Sequence, residues 1–251
     1  ESKRLYHEDN FATAPQLNMV WPTVEQYTDD AYALDFLGEI LSQGKKAPLY
    51  KVLVKERDLT SRTTAYGNAQ ELAGEFYITI TANNGKSLKD VETGIYDAFA
   101  MFEKEGATDR DIERIKAGLE TQFYNGISSV LGKSFQLAQY NVFAGNPGFI
   151  QEDIENIKRV TKEDVMRVYN TYIKEKPFVM TSFVPKGQIE LIADNSSLAP
   201  VVEEEIKENV EKKVEDANSE VAKTPSNFDR SVEPTQGATP KLNIPISWKS
   251  S

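Results

Sequence analysis

Apolar residues recur at helical spacing through most of the first 175 positions. Ala33, Phe36, Leu37, Ile40 and Leu41 fall at i, i+3, i+4, i+7 and i+8 on one helix face, and Gly44 supplies a left-handed stop. Three later stripes each follow a hydroxyl with a carboxylate three residues on: Ser87 with Asp90, Thr108 with Asp111, and Thr161 with Asp164. Such pairs satisfy the open backbone donors of a first helical turn, Asp standing in for the usual Glu or Gln. The core faces they introduce read Leu88, Val91, Ile95, Phe99 and Phe102; Ile112, Ile115, Leu119 and Phe123; Val165, Val168, Tyr169 and Tyr172. A further helix is predicted over residues 130–143.

Period-two alternation is scarcer. Phe76, Ile78 and Ile80 alternate with Tyr77, Thr79 and Thr81, and residues 60–67 precede them across a short polar connection, which predicts an antiparallel hairpin. Leu17, Met19 and Trp21 predict a first strand, and residues 177–184 a last one. Strand, helices, hairpin, helices and strand in that order predict an α+β fold: an antiparallel, mixed sheet with helices packed on one face. The repeated parallel crossover of a doubly wound fold is not in evidence.

Aromatic content marks where the packed part should end. Of 25 aromatic residues only Phe228 and Trp248 lie beyond Pro185. Residues 1–185 are therefore expected to form one domain and 186–251 a charged, Pro-containing linker. Residues 203–220 carry eight acidic and three basic side chains, with Val202, Ile206, Val210 and Val214 at four-residue spacing, and read as a solvated helix or charged connector. Pro225, Pro234, Pro240, Pro245 and Gly237 favour an extended chain beyond it.

Composition narrows the chemistry. The 251 residues hold no Cys and a single His, with a formal net charge of -10. Disulfides, thiolate nucleophiles and sites built on two or more imidazoles cannot be made within this chain, and the acidic balance argues against a nucleic-acid surface. No apolar run is long enough for a membrane helix and no secretory pattern opens the sequence, so a soluble protein is expected, with cytoplasm and periplasm both open. The chain begins Glu1-Ser2-Lys3 without Met and is expected to be a fragment.

No chemical motif survives inspection, and no catalytic or metal-binding residue is assigned. His7 with Glu8 and Asp9 reads as a solvated terminal segment, because three adjacent side chains cannot converge on one ion. Asp29 with Asp30 and Glu103 with Glu105 read as helix-end dipole compensation and surface charge. Neither phosphate-cradling glycine pattern is present. Tyr140, Phe143 and Phe149, around the turn Gly145-Asn146-Pro147-Gly148, read as core closing over that turn rather than a pocket.

Four segments together resemble the non-catalytic domain of the insulinase or pitrilysin family of zinc metallopeptidases: residues 16–44 (QLNMVWPTVEQYTDDAYALDFLGEILSQG), 47–59 (APLYKVLVKERDL), 106–116 (GATDRDIERIK) and 157–173 (IKRVTKEDVMRVYNTYI). The resemblance covers about residues 14–185 and implies the metallohydrolase fold shared with mitochondrial processing peptidases. It implies a wall and packing role in a peptide-degrading endopeptidase, beside a catalytic domain of the same chain or of another subunit. Zn²⁺ would be held in that other domain by the family's inverted H-x-x-E-H motif, which is absent here. Some such domains add an Arg and a Tyr that hold substrate; the matching places are Val54 and Ser61, so neither role carries over and substrate-binding residues stay unassigned. That departure suits the first half of a long two-half chain, and residues 226–248 look like a lead-in to the second. A catalytically dead scaffold subunit of the same fold, as in respiratory complexes, is the alternative, and an unrelated binding module a third reading.

Overall fold

The computed structural model describes residues 1–201. The expectations for the acidic stretch, the Pro-containing connector and the lead-in at 226–248 lie outside the described residues.

Six strands form one mixed sheet: β1 (Lys3–Asp9), β2 (Gln16–Thr23), β3 (Thr64–Ala69), β4 (Gly74–Thr81), β5 (Val179–Pro185) and β6 (Ser197–Leu198), in the spatial order β3-β4-β2-β5-β1-β6. The hairpin β3–β4, the pair β2–β4 and the pair β2–β5 are antiparallel, whereas β1 runs parallel to both β5 and β6. Pro22 falls where β2 has passed the end of β5 and pairs only with β4, so its missing N–H costs no second ladder bond.

The helices are α1 (Asp29–Ser42), α2 (Leu88–Glu105), α3 (Asp109–Gly126), α4 (Val130–Gln139), α5 (Ile150–Arg159) and α6 (Lys162–Val168). π-helical segments Tyr50–Glu56, Tyr140–Ala144 and Tyr169–Ile173 accompany them, the last two continuing α4 and α6. Each of those two opens on a tyrosine whose hydroxyl donates to a carboxylate of another helix, Tyr140 to Asp153 and Tyr169 to Glu103.

One face of the sheet supplies the core. Leu17, Met19 and Trp21 of β2, Phe76, Ile78 and Ile80 of β4, and Met180 and Val184 of β5 are buried against the stripes of α1 and α2, all of whose predicted apolar residues are buried. The close seat of α1 on β3 depends on Gly38, where a Cβ would stand 2.8 Å from the Ala65 carbonyl oxygen and 2.9 Å from the Tyr66 Cα.

The hydroxyl–carboxylate pairs do their predicted work at two of three helices. Full capping boxes form at Thr108–Asp111 and Thr161–Asp164, whereas Ser87 accepts from the Lys89 amide without a reciprocal bond from Asp90. Thr28 and Ser129 cap α1 and α4 with no such signature.

Three expectations need correction. His7, Glu8 and Asp9 are not a solvated tail: they are half-buried in β1, which pairs residue for residue with β5. Arg4 of that strand donates to Glu92 of α2 at 2.5 Å, clamping a terminus too polar to read as a strand. The packed core does not stop near Pro185, since Leu191, Ile192 and Ala193 join it and Ala193 is fully buried. Finally, α5 was not anticipated: its Phe149 N-cap makes no side-chain bond, although Ile150, Ile154 and Ile157 stand at helical spacing.

Candidate functional site

The most elaborate arrangement of polar side chains lies where α1, α4 and α5 meet. Asp153 of α5 is buried and accepts from the hydroxyls of Tyr32 at 2.5 Å and Tyr140 at 2.6 Å. Asn156, one turn on, donates to the Tyr32 oxygen at 3.5 Å and accepts in turn from Arg159. Among the described residues no cation pairs with Asp153; two phenols and the first turn of α5 hold its charge. Burial pushes both phenol pKa values far up, reinforced by their bonds to Asp153, so each hydroxyl keeps its proton and neither can act as an acid at neutral pH.

Above this hub opens a cleft of about 500 Å³ lined by Tyr27, Asp35, Asn68, Gln122, Gln136 and Gln139, among others. Tyr27 stands at φ +66°, in the left-handed region, with its ring centroid 5.6 Å from Tyr140 and 5.1 Å from Phe149. Burial, with the charge of Asp153, pushes its hydroxyl up to about 12. Asp35 takes part in no hydrogen bond or ion pair among the described residues. Crowding by surrounding protein, then the Glu39 and Asp153 carboxylates, raise its pKa to about 7. More than a third of the Asp35 surface nevertheless meets water, which screens the charge and makes that value a ceiling. The cleft thus holds one carboxyl with a raised pKa, Asp35, beside a phenol–carboxylate pair, Tyr32 with Asp153, in which the phenol keeps its proton.

The residues weighed in the sequence have structural places. Asp29 and Asp30 pair with Arg159 and Arg167, and Tyr172 also donates to Asp30, so these acids fasten the start of α1 to α5, α6 and the π-helical turn after α6. Glu103 accepts from Tyr169 and Lys174, whose bonds hold its carboxyl below the usual range, and Glu105 pairs with Lys51. Tyr140 is buried beside the turn and half-buried Phe149 lies against it, ring centroids 5.6 Å apart, while half-buried Phe143 stays outside that contact. His7 meets Phe183 edge-on at 6.0 Å. Val54 is half-buried in the π-helical segment Tyr50–Glu56 and Ser61 is exposed between it and β3. Among the described residues no three His, Cys, Asp or Glu side chains could hold a metal ion. A lone imidazole on β1 does not fit the zinc site of the family resembled. No helix among the described residues is long and apolar enough to cross a membrane.

Asp35, Asp153 and Tyr32 carried no signal as site residues. Tyr32 and Asp153 lie 121 positions apart, and only the packing of α5 on α1 joins them.

A second feature is a helix turned inside out. The inward row of α4 and its π-helical continuation is Gly132, Gln136 and Tyr140, while Val130, Leu131, Phe135, Leu137 and Val142 are exposed, Leu131 by 67% and Phe135 by 69%. At Gly132 a Cβ would stand 1.9 Å from the Gly126 carbonyl oxygen, so the backbone itself forms that contact.

Residues 1–119 match the family profile described as the peptidase M16 inactive domain. Three of the four segments that carried the resemblance lie inside this range, and residues 157–173 lie outside it. No curated protein matches the sequence. Among solved structures, a protease from Helicobacter pylori superposes with a TM-score of 0.64 at 18% identity, over 72% of this chain and 43% of that one. A peptidase M16 inactive domain from Pseudomonas fluorescens gives 0.59 at 19% identity, over 73% and 43%. A Complex III2 chain from Candida albicans gives 0.61 at 12% identity, over 73% and 46%. The chain thus spans under half the length of these solved proteins. Their likeness is one of fold, the six-stranded mixed sheet with its layer of helices. The chain carries the sequence pattern of the peptidase M16 inactive domain over residues 1–119 and has the fold of M16 domain structures.

Proposed function

We propose that this chain is the non-catalytic wall of a substrate chamber in a longer zinc-dependent endopeptidase that degrades unfolded peptides. In this reading Zn²⁺ is held by another domain of the parent protein, and this domain supplies packing surface and enclosure. The observation that carries the reading is the inverted helix α4. A domain that buries an extensive core and yet leaves Leu131, Phe135 and Val142 in water is complete only when another surface covers them. The profile match and the length of the Helicobacter pylori protease, of whose chain the superposition covers 43%, support a neighbouring domain as that surface. Residues 202–251 would then serve as the connector toward a second half.

The test uses the parent protein. Leu131→Glu with Phe135→Glu should dissociate or loosen the domain pair, read by limited proteolysis and sedimentation, and should lower peptide hydrolysis at least tenfold while the zinc content stays unchanged. Full activity with an unaltered sedimentation profile would end the proposal.

A second reading, a catalytically dead scaffold subunit, draws on the likeness to the Complex III2 chain. Both readings call for a partner domain, of about 200 residues if typical, and its sequence decides between them: an H-x-x-E-H motif there supports the peptidase, and its loss supports the scaffold.

A further inference from the structure

A second concavity, on the other side of α1 from its capped end, has the opposite electrostatic character to the Asp35 cleft. It is a groove of about 460 Å³ between the loop that follows α1 and the first turns of α3. Lys45, Lys46 and Lys51 stand on one wall, Arg110 and Arg114 on the other. Only two acids line it, and both are engaged: Glu105 pairs with Lys51, and Asp111 closes the capping box with Thr108. Lys45, Lys46, Arg110 and Arg114 have no carboxylate partner among the described residues, in a chain whose formal net charge is -10. The floor is apolar, from Ile40 and Pro48.

We propose that this groove binds a carboxylate-rich peptide segment in an extended conformation. The cations are spread along two walls instead of converging on one point, which suits a chain and not a compact phosphate. Arg110 and Arg114 are one helical turn apart, about 6 Å along the axis, and acids at alternate positions of an extended peptide lie on one side about 7 Å apart. Each guanidinium can therefore take one carboxylate in bidentate fashion. Apolar residues between the acids would face the floor. This inference stands apart from the chamber role, because it concerns binding by this chain alone.

The experiment is fluorescence anisotropy on the 251-residue chain with a labelled hexapeptide carrying Asp at alternate positions, and with its Asn counterpart. The acidic peptide should bind, the Asn peptide should not, and raising NaCl from 50 to 300 mM should weaken binding severalfold. Arg110→Glu with Arg114→Glu, and separately Lys45→Glu with Lys46→Glu, should each weaken it at least tenfold with the circular dichroism unchanged. Lys133→Glu with Lys186→Glu, two exposed cations off the groove, should leave it as it was. Absence of binding by the acidic peptide, equal binding of the Asn peptide, or an effect of the off-groove pair equal to that of the groove pairs would overturn the proposal. So would inorganic tripolyphosphate displacing the peptide with a higher affinity than the peptide has, which would assign the groove to phosphates.

Discussion

Replacing Asp153 by Ala is the most informative single change, because one carboxylate serves two buried hydroxyls. Tyr140 is fully buried and Tyr32 is 8% exposed, and each donates a hydrogen bond to a different oxygen of Asp153. Truncation orphans both donors. Leaving a buried hydroxyl unpaired costs about 1–3 kcal/mol, so the variant should lose about 2–6 kcal/mol, a large share of a total that is about 5–15 kcal/mol for a typical domain. Asp153→Asn keeps one acceptor and should lose roughly half as much. Tyr140→Phe leaves one oxygen of the buried Asp153 carboxylate without its donor and should itself cost about 1–3 kcal/mol. In the background of Asp153→Ala, Tyr140→Phe should instead stabilise by about 1–3 kcal/mol, since the orphan is gone, giving a coupling energy of about 2–6 kcal/mol, the difference between the two backgrounds. Urea unfolding followed by far-UV circular dichroism yields all four corners of this cycle. Stability of Asp153→Ala within 0.5 kcal/mol of the parent chain, or strict additivity with Tyr140→Phe, would refute the hub as the joint between α1, α4 and α5.

Other expectations follow from single contacts. Asp35 has a raised pKa, so between about pH 4 and 7 the folded chain keeps a proton that the unfolded chain has released, and stability falls as pH rises through that window. Asp35→Asn should therefore be more stable than the parent chain by about 1 kcal/mol at pH 8, after screening by water, and equal to it at pH 4; the same difference at both pH values would refute the titration. Gly38→Ala drives a methyl into the Ala65 carbonyl and should cost about 1–3 kcal/mol, seen as a lower melting temperature; an unchanged melting temperature would mean that α1 does not sit that closely on β3. Thr161→Ala breaks a complete capping box and should cost about 1 kcal/mol, whereas Ser87→Ala, at a cap without reciprocal bond, should cost less. Equal losses at the two caps in matched urea titrations would show that the reciprocal bond adds nothing.

The strongly patterned elements were legible, since the alternation of Leu17, Met19 and Trp21 and the stripe from Leu88 to Phe102 record local backbone geometry facing one core. β1 was not, because strand KRLYHED has no alternation, and its place comes from a ladder with β5 some 176 residues away and from the Arg4–Glu92 pair. α5 hid behind an uncapped start after Pro147 and Gly148. For α4 the sequence announced a helix over residues 130–143 but not the face it buries: Gly132 packs on the Gly126 carbonyl, and Leu131 and Phe135 face outward.

Taken alone, the sequence determined the fold class, most helices and strands, the lack of Cys and of a second His, and the family likeness. Those depend on local periodicity and composition, which neighbouring residues set. What the tertiary structure decided was which charges meet. Asp153 with Tyr32 and Tyr140, Asp35 alone in its cleft, and the cations of the loop after α1 facing those of α3 are groupings across long stretches of chain. A polar side chain imposes no period on its neighbours, so its partners are fixed only when the apolar faces around it have packed.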